Sequence, residues 1–321
     1  MTKEFSRRQF IGNLAVAGAA ACAGAAYGCG NRSASSGQEA SGFAPKKRRE
    51  HTLSSDLAVV RGDDPKKMVQ AAIEALGGID KLVKPGDVVV VKPNMAWDRL
   101  PEQAATTNPF AVAAIIELCM KAGARQVNVF DRTCNDARRS YDSSGIAKAA
   151  EAAGASVTHV LDRKFHTVSI PKGVSMKEWL LYEDAAKADV LISIPIAKHH
   201  GSSRLTLGMK NMMGVAGGNR GDWHPQLDQR IADFATVTAV DLTILDAYRI
   251  LTDRGPASGT EADVRKEGLL VAGIDPVAVD AFGATIFGLE PRELGFVQRA
   301  FDRGLGEMDL AKVKQQRINL A

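Results

Sequence analysis

Short runs of β-branched residues alternate along this chain with longer runs of helical period. DVVVVKPN (87–94) carries consecutive valines, the pattern of a strand buried on both faces. NPFAVAAIIELCMKAGA (108–124) opens on Asn before Pro, places apolar residues at helical spacing and meets Gly123 at its end, which predicts a capped helix. QVNVFD (126–131) predicts the next strand, SSGIAKAAEAAGA a helix ending at Gly154, and SVTHVL (156–161) a further strand. Two successive strand, helix, strand units imply a parallel sheet. ADVLISIPIAKHH predicts a strand over 190–194, and LGMKNMMGVAGG a helix from about Ser203. HPQLDQRIADFATVTAV (224–240) has helical period, LTILDAY predicts a strand ending at Asp246, and EGLLVAGIDPVAVDAFGATIFG passes from strand to helix at Asp275-Pro276. The expected fold is α/β: a mostly parallel sheet flanked by helices in three layers, with room for a smaller second lobe.

The first residues depart from this rhythm. Ser6-Arg7-Arg8-Gln9-Phe10-Ile11-Gly12 precedes a weakly apolar Ala/Gly run to Gly28 and resembles a twin-arginine export signal, with Gly12 where Lys is common. Ala and Gly contribute little transfer free energy, and the run barely reaches the ~18 to 20 residues that span a bilayer, so a removed signal is expected over residues 1–28 rather than an anchor. Cys29 then opens a Gly/Ser-rich and basic tether, residues 29–51. Ala26-Tyr27-Gly28-Cys29 is an imperfect lipoprotein junction that makes Cys29 a candidate for lipidation, and Ala23-Gly24-Ala25 is the ordinary cleavage alternative. The folded domain is expected over residues 52–321, with no internal boundary marked. The implied address is the periplasm or cell envelope, with the twin-arginine translocase as a partner and membrane contact only through a lipid.

Charge narrows the partners. The chain holds 41 basic and 37 acidic residues, a formal +4; removing residues 1–28 takes away three basic and one acidic, leaving +2. A nucleic-acid partner is disfavoured, because phosphate binding needs a concentrated basic surface. The one basic run, Lys46 to Arg49, lies in the tether, where solvation or contact with anionic headgroups is expected. Beyond the signal and Cys29 the domain has only Cys119 and Cys134 and no Cys-x-x-Cys, so it holds no iron–sulfur cluster or zinc ribbon of its own. Cys119 reads as core.

Chemistry concentrates where strands end, because the ligand crevice of an open parallel sheet lies outside the carboxyl ends of its strands. Lys92-Pro93-Asn94 follows one strand, Asp131 to Asp136 another, Lys198-His199-His200 a third and Asp246 a fourth. Lysine and asparagine hold anionic oxygens, so Lys92, Asn94, Arg204, Lys210 and Asn211 are candidate substrate-binding residues. Imidazole binds metal or moves protons near neutral pH, so His199, His200, Lys198 and Asp131 are candidate catalytic residues. His199 or His200 with Asp131 or Asp246 would form a metal site, although adjacent histidines on extended chain point to opposite sides and no HExxH-like pair is present. Amides near Ser202 and Ser203 would hold a carboxylate or phosphate at the expected helix start. His224 is a further candidate, Met209, Met212 and Met213 read as core, and Gly217 to Asp222 has the composition of a lid. Neither GxGxxG nor GxSxG occurs in a usable context, which disfavours dinucleotide enzymes and α/β-hydrolases.

Taken in order, VVVKPN, ATTNP before a helix, KAGARQVNVFD, IPIAKHHG, TLGMKNMMG and GIDPVAVD resemble the family called domain of unknown function 362, over nearly the whole chain after the tether. The resemblance implies no settled activity. It implies association with ferredoxin-like iron–sulfur modules, here as a separate redox partner since this chain lacks their cysteines. By family pattern it carries over Lys92, Asn94, Asp131, Lys198, His199 or His200, Lys210, Asn211, Asp246, Asp275 and Asp280. The chain is also distantly similar to nickel-pincer lactate racemases, which would give Lys198 with His199 and His200 the parts around an organometallic cofactor, though the spacing differs. The function expected is an exported enzyme, assisted by a transition metal or another cofactor, acting on a small anionic substrate. A non-catalytic envelope protein binding an anion or metal is the alternative.

Overall fold

Proline after an Asx residue starts three of the main helices. Asp64, Asn108 and Asp275 each accept backbone amides from the first turn while Pro65, Pro109 and Pro276 occupy the first helical position, whose missing N–H costs nothing there. The computed structural model describes residues 43–320. The twin-arginine segment, the 1–28 signal, Cys29 and the tether up to residue 42 lie outside the described residues.

In chain order the elements are β1 (Leu57–Arg61), α1 (Pro65–Ala75), β2 (Val88–Pro93), α2 (Pro109–Lys121), β3 (Gln126–Val129), α3 (Ala137–Ser143), α4 (Ile146–Ala152), β4 (Ser156–Val157), β5 (Phe165–Ser169), β6 (Glu178–Tyr182), α5 (Glu183–Lys187), β7 (Val190–Ile194) and β8 (Ile196–His200). They continue with β9 (Arg204–Thr206), α6 (Gly208–Asn211), α7 (Leu227–Ala235), β10 (Leu242–Leu251), β11 (Val264–Gly273), α8 (Pro276–Ile286), α9 (Gly295–Phe301) and β12 (Gln315–Asn319).

The main sheet runs β12-β1-β11-β10-β7-β2-β3-β4, with β8 on β10 and β9 on β8. Most pairings are parallel; β1 with β11, β10 with β11 and β8 with β9 are antiparallel. Strand alternation makes it the middle of three layers: Leu57, Val59 and Val90 face one core, Ala58, Val60, Val89 and Val91 the other. The fold is thus α/β with a mostly parallel sheet flanked by helices. The β5–β6 hairpin forms a sheet of its own, but its Val168, Leu181 and Tyr182 belong to the first of these cores, so it is an annex of the same domain.

Three local expectations are corrected. The helix expected from Ser203 begins at Gly208, because Arg204–Thr206 pairs with β8 first. The helix expected over 224–240 is α7 alone, preceded by 3₁₀ turns at Arg220–Gln226. The basic run of the tether is packed on the domain rather than solvated: Lys46 pairs with Asp241, Arg49 donates to both Asp87 oxygens at 2.7 and 3.0 Å, and the Phe43 ring stacks 4.2 Å from that of His166. The folded domain therefore starts before residue 52.

Candidate functional site

At the carboxyl ends of β2, β3 and β8 lies a cavity of 580 Å³. Five Lys and Arg side chains line it, Lys92, Arg132, Lys198, Lys210 and Arg220, against one carboxylate, Asp131. Strand parity explains two of them. Lys92 and Asn94 share the face of Val90, against which α6 and the following turn pack, while Val89 and Val91 feed the opposite core.

Lys92 and Asp131 organise the floor. Their side chains are 1% exposed, with Lys92 Nζ 2.9 Å from Asp131 Oδ1. Lys92 Nζ also donates to Pro93 O and to Asn211 Oδ1, both at 2.7 Å, and Asn211 returns its amide to Lys92 O and Ser193 Oγ. Lys92 Nζ therefore has two hydrogen-bond acceptors besides its counter-charge, and Asn211 is equally engaged. This differs from the expectation that Lys92 and Asn211 clamp a substrate; here they join β2 to β7 and to the turn over the sheet. Asp131 Oδ2 accepts from Met95 N at 2.9 Å, which ties β3 to the end of β2. A β-carbon on Gly214 would collide with this pair, so glycine is what lets the turn cover it. Burial lowers the Lys92 pKa and Asp131 opposes that shift.

Lys198 and Lys210 differ from Lys92 in having no carboxylate partner among the described residues. Lys198 Nζ donates to Ala105 O and sits 5.8 Å above the Trp97 ring; Lys210 Nζ has Met213 Sδ at 3.5 Å. Burial pulls Lys198 down to about 7, with the like charges of Lys210 and Lys92 adding and Cys134 and Asp131 opposing. Burial also brings Lys210 down, to about 8. Near neutrality Lys198 is thus split between amine and ammonium while Lys210 stays mostly charged.

Both histidines are held in one tautomer. His200 Nδ1 accepts the amides of Ser202 and Ser203 at 3.1 and 3.3 Å, and His199 Nδ1 accepts Gly255 N at 3.0 Å. A nitrogen that accepts an N–H carries no proton, so each neutral ring bears its hydrogen on Nε2. Desolvation, then Lys210 and Lys198, drives the His200 pKa to about 3, which leaves the ring neutral. Lys198 and His200, two residues apart on β8, line the cavity together, and His199 between them does not.

This geometry corrects several sequence expectations. With Nδ1 occupied and a proton on Nε2, neither His199 nor His200 has a lone pair for a metal, and His200 is a hydrogen-bond donor rather than a base. Asp246 does not reach the cavity: it is buried, accepts Asn108 N at 2.7 Å and Tyr248 N at 3.0 Å, and burial raises it to about 6. Among the described residues no three His, Cys, Asp or Glu side chains are grouped to hold a metal. Arg204 is exposed and pairs with Glu293 at 3.0 Å, outside the cavity. The Ser202 and Ser203 amides expected to hold an anion serve His200 instead. Asp275 caps α8, and Asp280 accepts Gly208 N and Met209 N at 2.6 and 2.9 Å, starting α6; both are structural. His224 and Asn94 do line the cavity. Asn94 is 6% exposed and its Oδ1 has no donor among the described residues.

Sequence reading missed the arginines. Arg220 donates to Arg132 O, Met213 O and Thr133 O, and Arg132 returns Nη1 to Ala216 O and Gly218 O. These bonds tie the loop after β3 to Gly217–Asp222, so the segment expected to be a lid is a fixed wall. An arginine inside a glycine-rich turn, GGNRGD, was the available signal. Met209 and Met212 are core as expected, but Met213 faces the cavity. The role of ATTNP is also visible: Thr107 Oγ1 accepts Asn94 N at 2.8 Å and donates to Ile194 O at 2.6 Å, while Ala105 O receives Lys198.

A family model described as a domain of unknown function (DUF362) matches residues 89–285. The thylakoid-associated protein sll1697 of Synechocystis sp. is 30% identical over 231 residues, 70% of this chain and 70% of that protein. Two solved structures resemble the fold. The lactate racemase apoprotein of Thermoanaerobacterium thermosaccharolyticum has a TM-score of 0.41 at 12% identity over 60% of this chain. A Thermotoga maritima protein has a TM-score of 0.40 at 12% identity over 58% of it. The chain spans about half the length of each, 50% and 51%.

Proposed function

The chain belongs to the DUF362 family, and on that premise we propose that its strand-end cavity binds a small organic anion and acts on it through Lys198. One observation carries the reading: two buried lysines, Lys198 and Lys210, face one cavity with no carboxylate beside them. An unpaired buried cation is expensive, and a bound anion offsets that cost. Lys210, mostly charged, holds the anionic oxygens with the Nε2–H of His200 and the side-chain amide of Asn94. Lys198, partly neutral, is the group left for chemistry. The cavity volume lies within the ~300–1,000 Å³ of metabolite sites.

Among the described residues the cavity offers one imidazole lone pair, Nε2 of His224, whose Nδ1 donates to Gly221 O at 2.9 Å, and no group of three His, Cys, Asp or Glu side chains to hold a metal. Isothermal titration calorimetry with a panel of small carboxylates and phosphates tests the binding. An anion favours the protonated lysine, so affinity should be highest below pH 7 and fall as pH rises through about 8, where Lys210 loses its proton. Lys210→Met should weaken binding about 10- to 100-fold, the ~1.5–3 kcal/mol of a charged hydrogen bond, and flatten that profile. If no anion on the panel binds, the reading fails; if anions bind and none is converted, the cavity is a binding site and the enzyme part falls.

Export through the twin-arginine pathway belongs to the same proposal, supported by Ser6-Arg7-Arg8-Gln9-Phe10-Ile11. Replacing Arg7 and Arg8 with Lys should leave the protein in the cytoplasm on fractionation, and unchanged export would overturn it.

A further inference from the structure

We propose that Lys198 is a nucleophilic amine that condenses with the carbonyl carbon of a small oxo acid whose carboxylate lies against Lys210 and His200. The inference rests on the anion reading above and adds the substrate class and the bond formed. Three observations carry it. First, Lys198 Nζ is buried at the cavity wall with one protein acceptor, Ala105 O, whereas Lys92 has two acceptors and the Asp131 counter-charge 2.9 Å away. A single N–H···O bond suits an amine with its lone pair turned to the cavity; an ammonium would keep three donors to satisfy. Second, burial opposes protonation of Lys198 and the like charge of Lys210 adds to it, as in lysines activated for imine chemistry. Third, the groups around Lys198 suit a carboxylate: Lys210 and the Nε2–H of His200 are donors, and Asp131, the one carboxylate lining the cavity, is tied to Lys92 and Met95 N.

The step balances without any group beyond water. The Nζ lone pair forms the C–N bond as the carbonyl π pair moves to oxygen, giving a carbinolamine. The C–O bond then breaks while nitrogen forms C=N. The oxygen leaves as water with one proton from Lys198 and one from solvent, and the iminium keeps the second Lys198 proton. Its positive charge lies beside the substrate carboxylate, which favours the bound imine over an imine in water.

Incubating the full chain with pyruvate or glyoxylate, adding borohydride and mapping the product by peptide mass spectrometry tests this. Expected is one reduced adduct per chain, on the peptide holding Lys198, lost in Lys198→Arg and slowed about 10-fold or more in Lys210→Met. Mapping on the natural chain locates the adduct even where Lys198→Arg fails to fold. Calorimetric binding of pyruvate with no adduct, or adduct spread over surface lysines, would overturn the inference and leave the anion site standing. Absence of any anion binding would remove both.

Discussion

Gly214→Ala should lower the melting temperature by roughly 6–12 °C, from a loss of about 3 kcal/mol at about 2–4 °C per kcal/mol for a domain of this size. An added β-carbon would overlap Asp131 Oδ1 and lie 2.6 Å from Lys92 Nζ. Neither can retreat, because Lys92 is held by Pro93 O and Asn211 Oδ1, and Asp131 by Met95 N. The turn must then lift, which also strains the bond from Arg132 N to Gly214 O, 3.0 Å. Gly201→Ala is the matched control: nothing lies within 4 Å of a β-carbon there, so the change should stay within about ±0.5 kcal/mol. Differential scanning calorimetry on both variants checks the pair, and a wild-type melting point for Gly214→Ala would refute the packing of this turn.

The second large effect concerns the buried pair itself. Asp131→Ala should cost about 3–5 kcal/mol, because it leaves the Lys92 charge without its counter-charge in a site closed to solvent, and removes the acceptor of Met95 N. Adding Lys92→Met to that variant should recover part of the loss, since removing both charges is far cheaper than stranding one. Urea unfolding of both single variants and the double gives the coupling energy. Simple additivity would mean that the two side chains do not interact, and the floor of the cavity would need another explanation.

Much of the fold was legible because its determinants are local. The valine run of β2, the Asx-Pro starts of α2 and α8, and Gly123 at the end of α2 each act within a few residues. The strand-end rule also placed Lys92, Asn94, Asp131 and Lys198 at one cavity. Reading failed where a short segment chooses between partners distant in sequence. Arg204 to Thr206 has helical company on its C-terminal side, yet it pairs with β8, and α6 begins only where Asp280 accepts its first amides. Arg204 follows the same logic, reaching Glu293 on the surface. The basic run at Lys46 to Arg49 looks solvated in isolation because Asp87, Asp189 and Asp241, which neutralise it, come from separate parts of the chain.

By itself the sequence determined the alternation of strand and helix around β2, α2 and β3 and from β10 to α8, and the clustering of cationic residues at strand ends, since periodicity, proline and glycine act over one or two turns of chain. Only the tertiary structure decided which cations are already answered. Lys92 and Lys198 look alike in sequence, each closing a β-branched or apolar strand, but Asn211 arrives at Lys92 from 119 residues away. Lys198 receives only a backbone carbonyl from 93 residues away. Proton affinity and hydrogen-bond saturation are set by such neighbours and by burial. The lysine that holds the fold therefore parts from the lysine left for chemistry only once the chain has closed on itself.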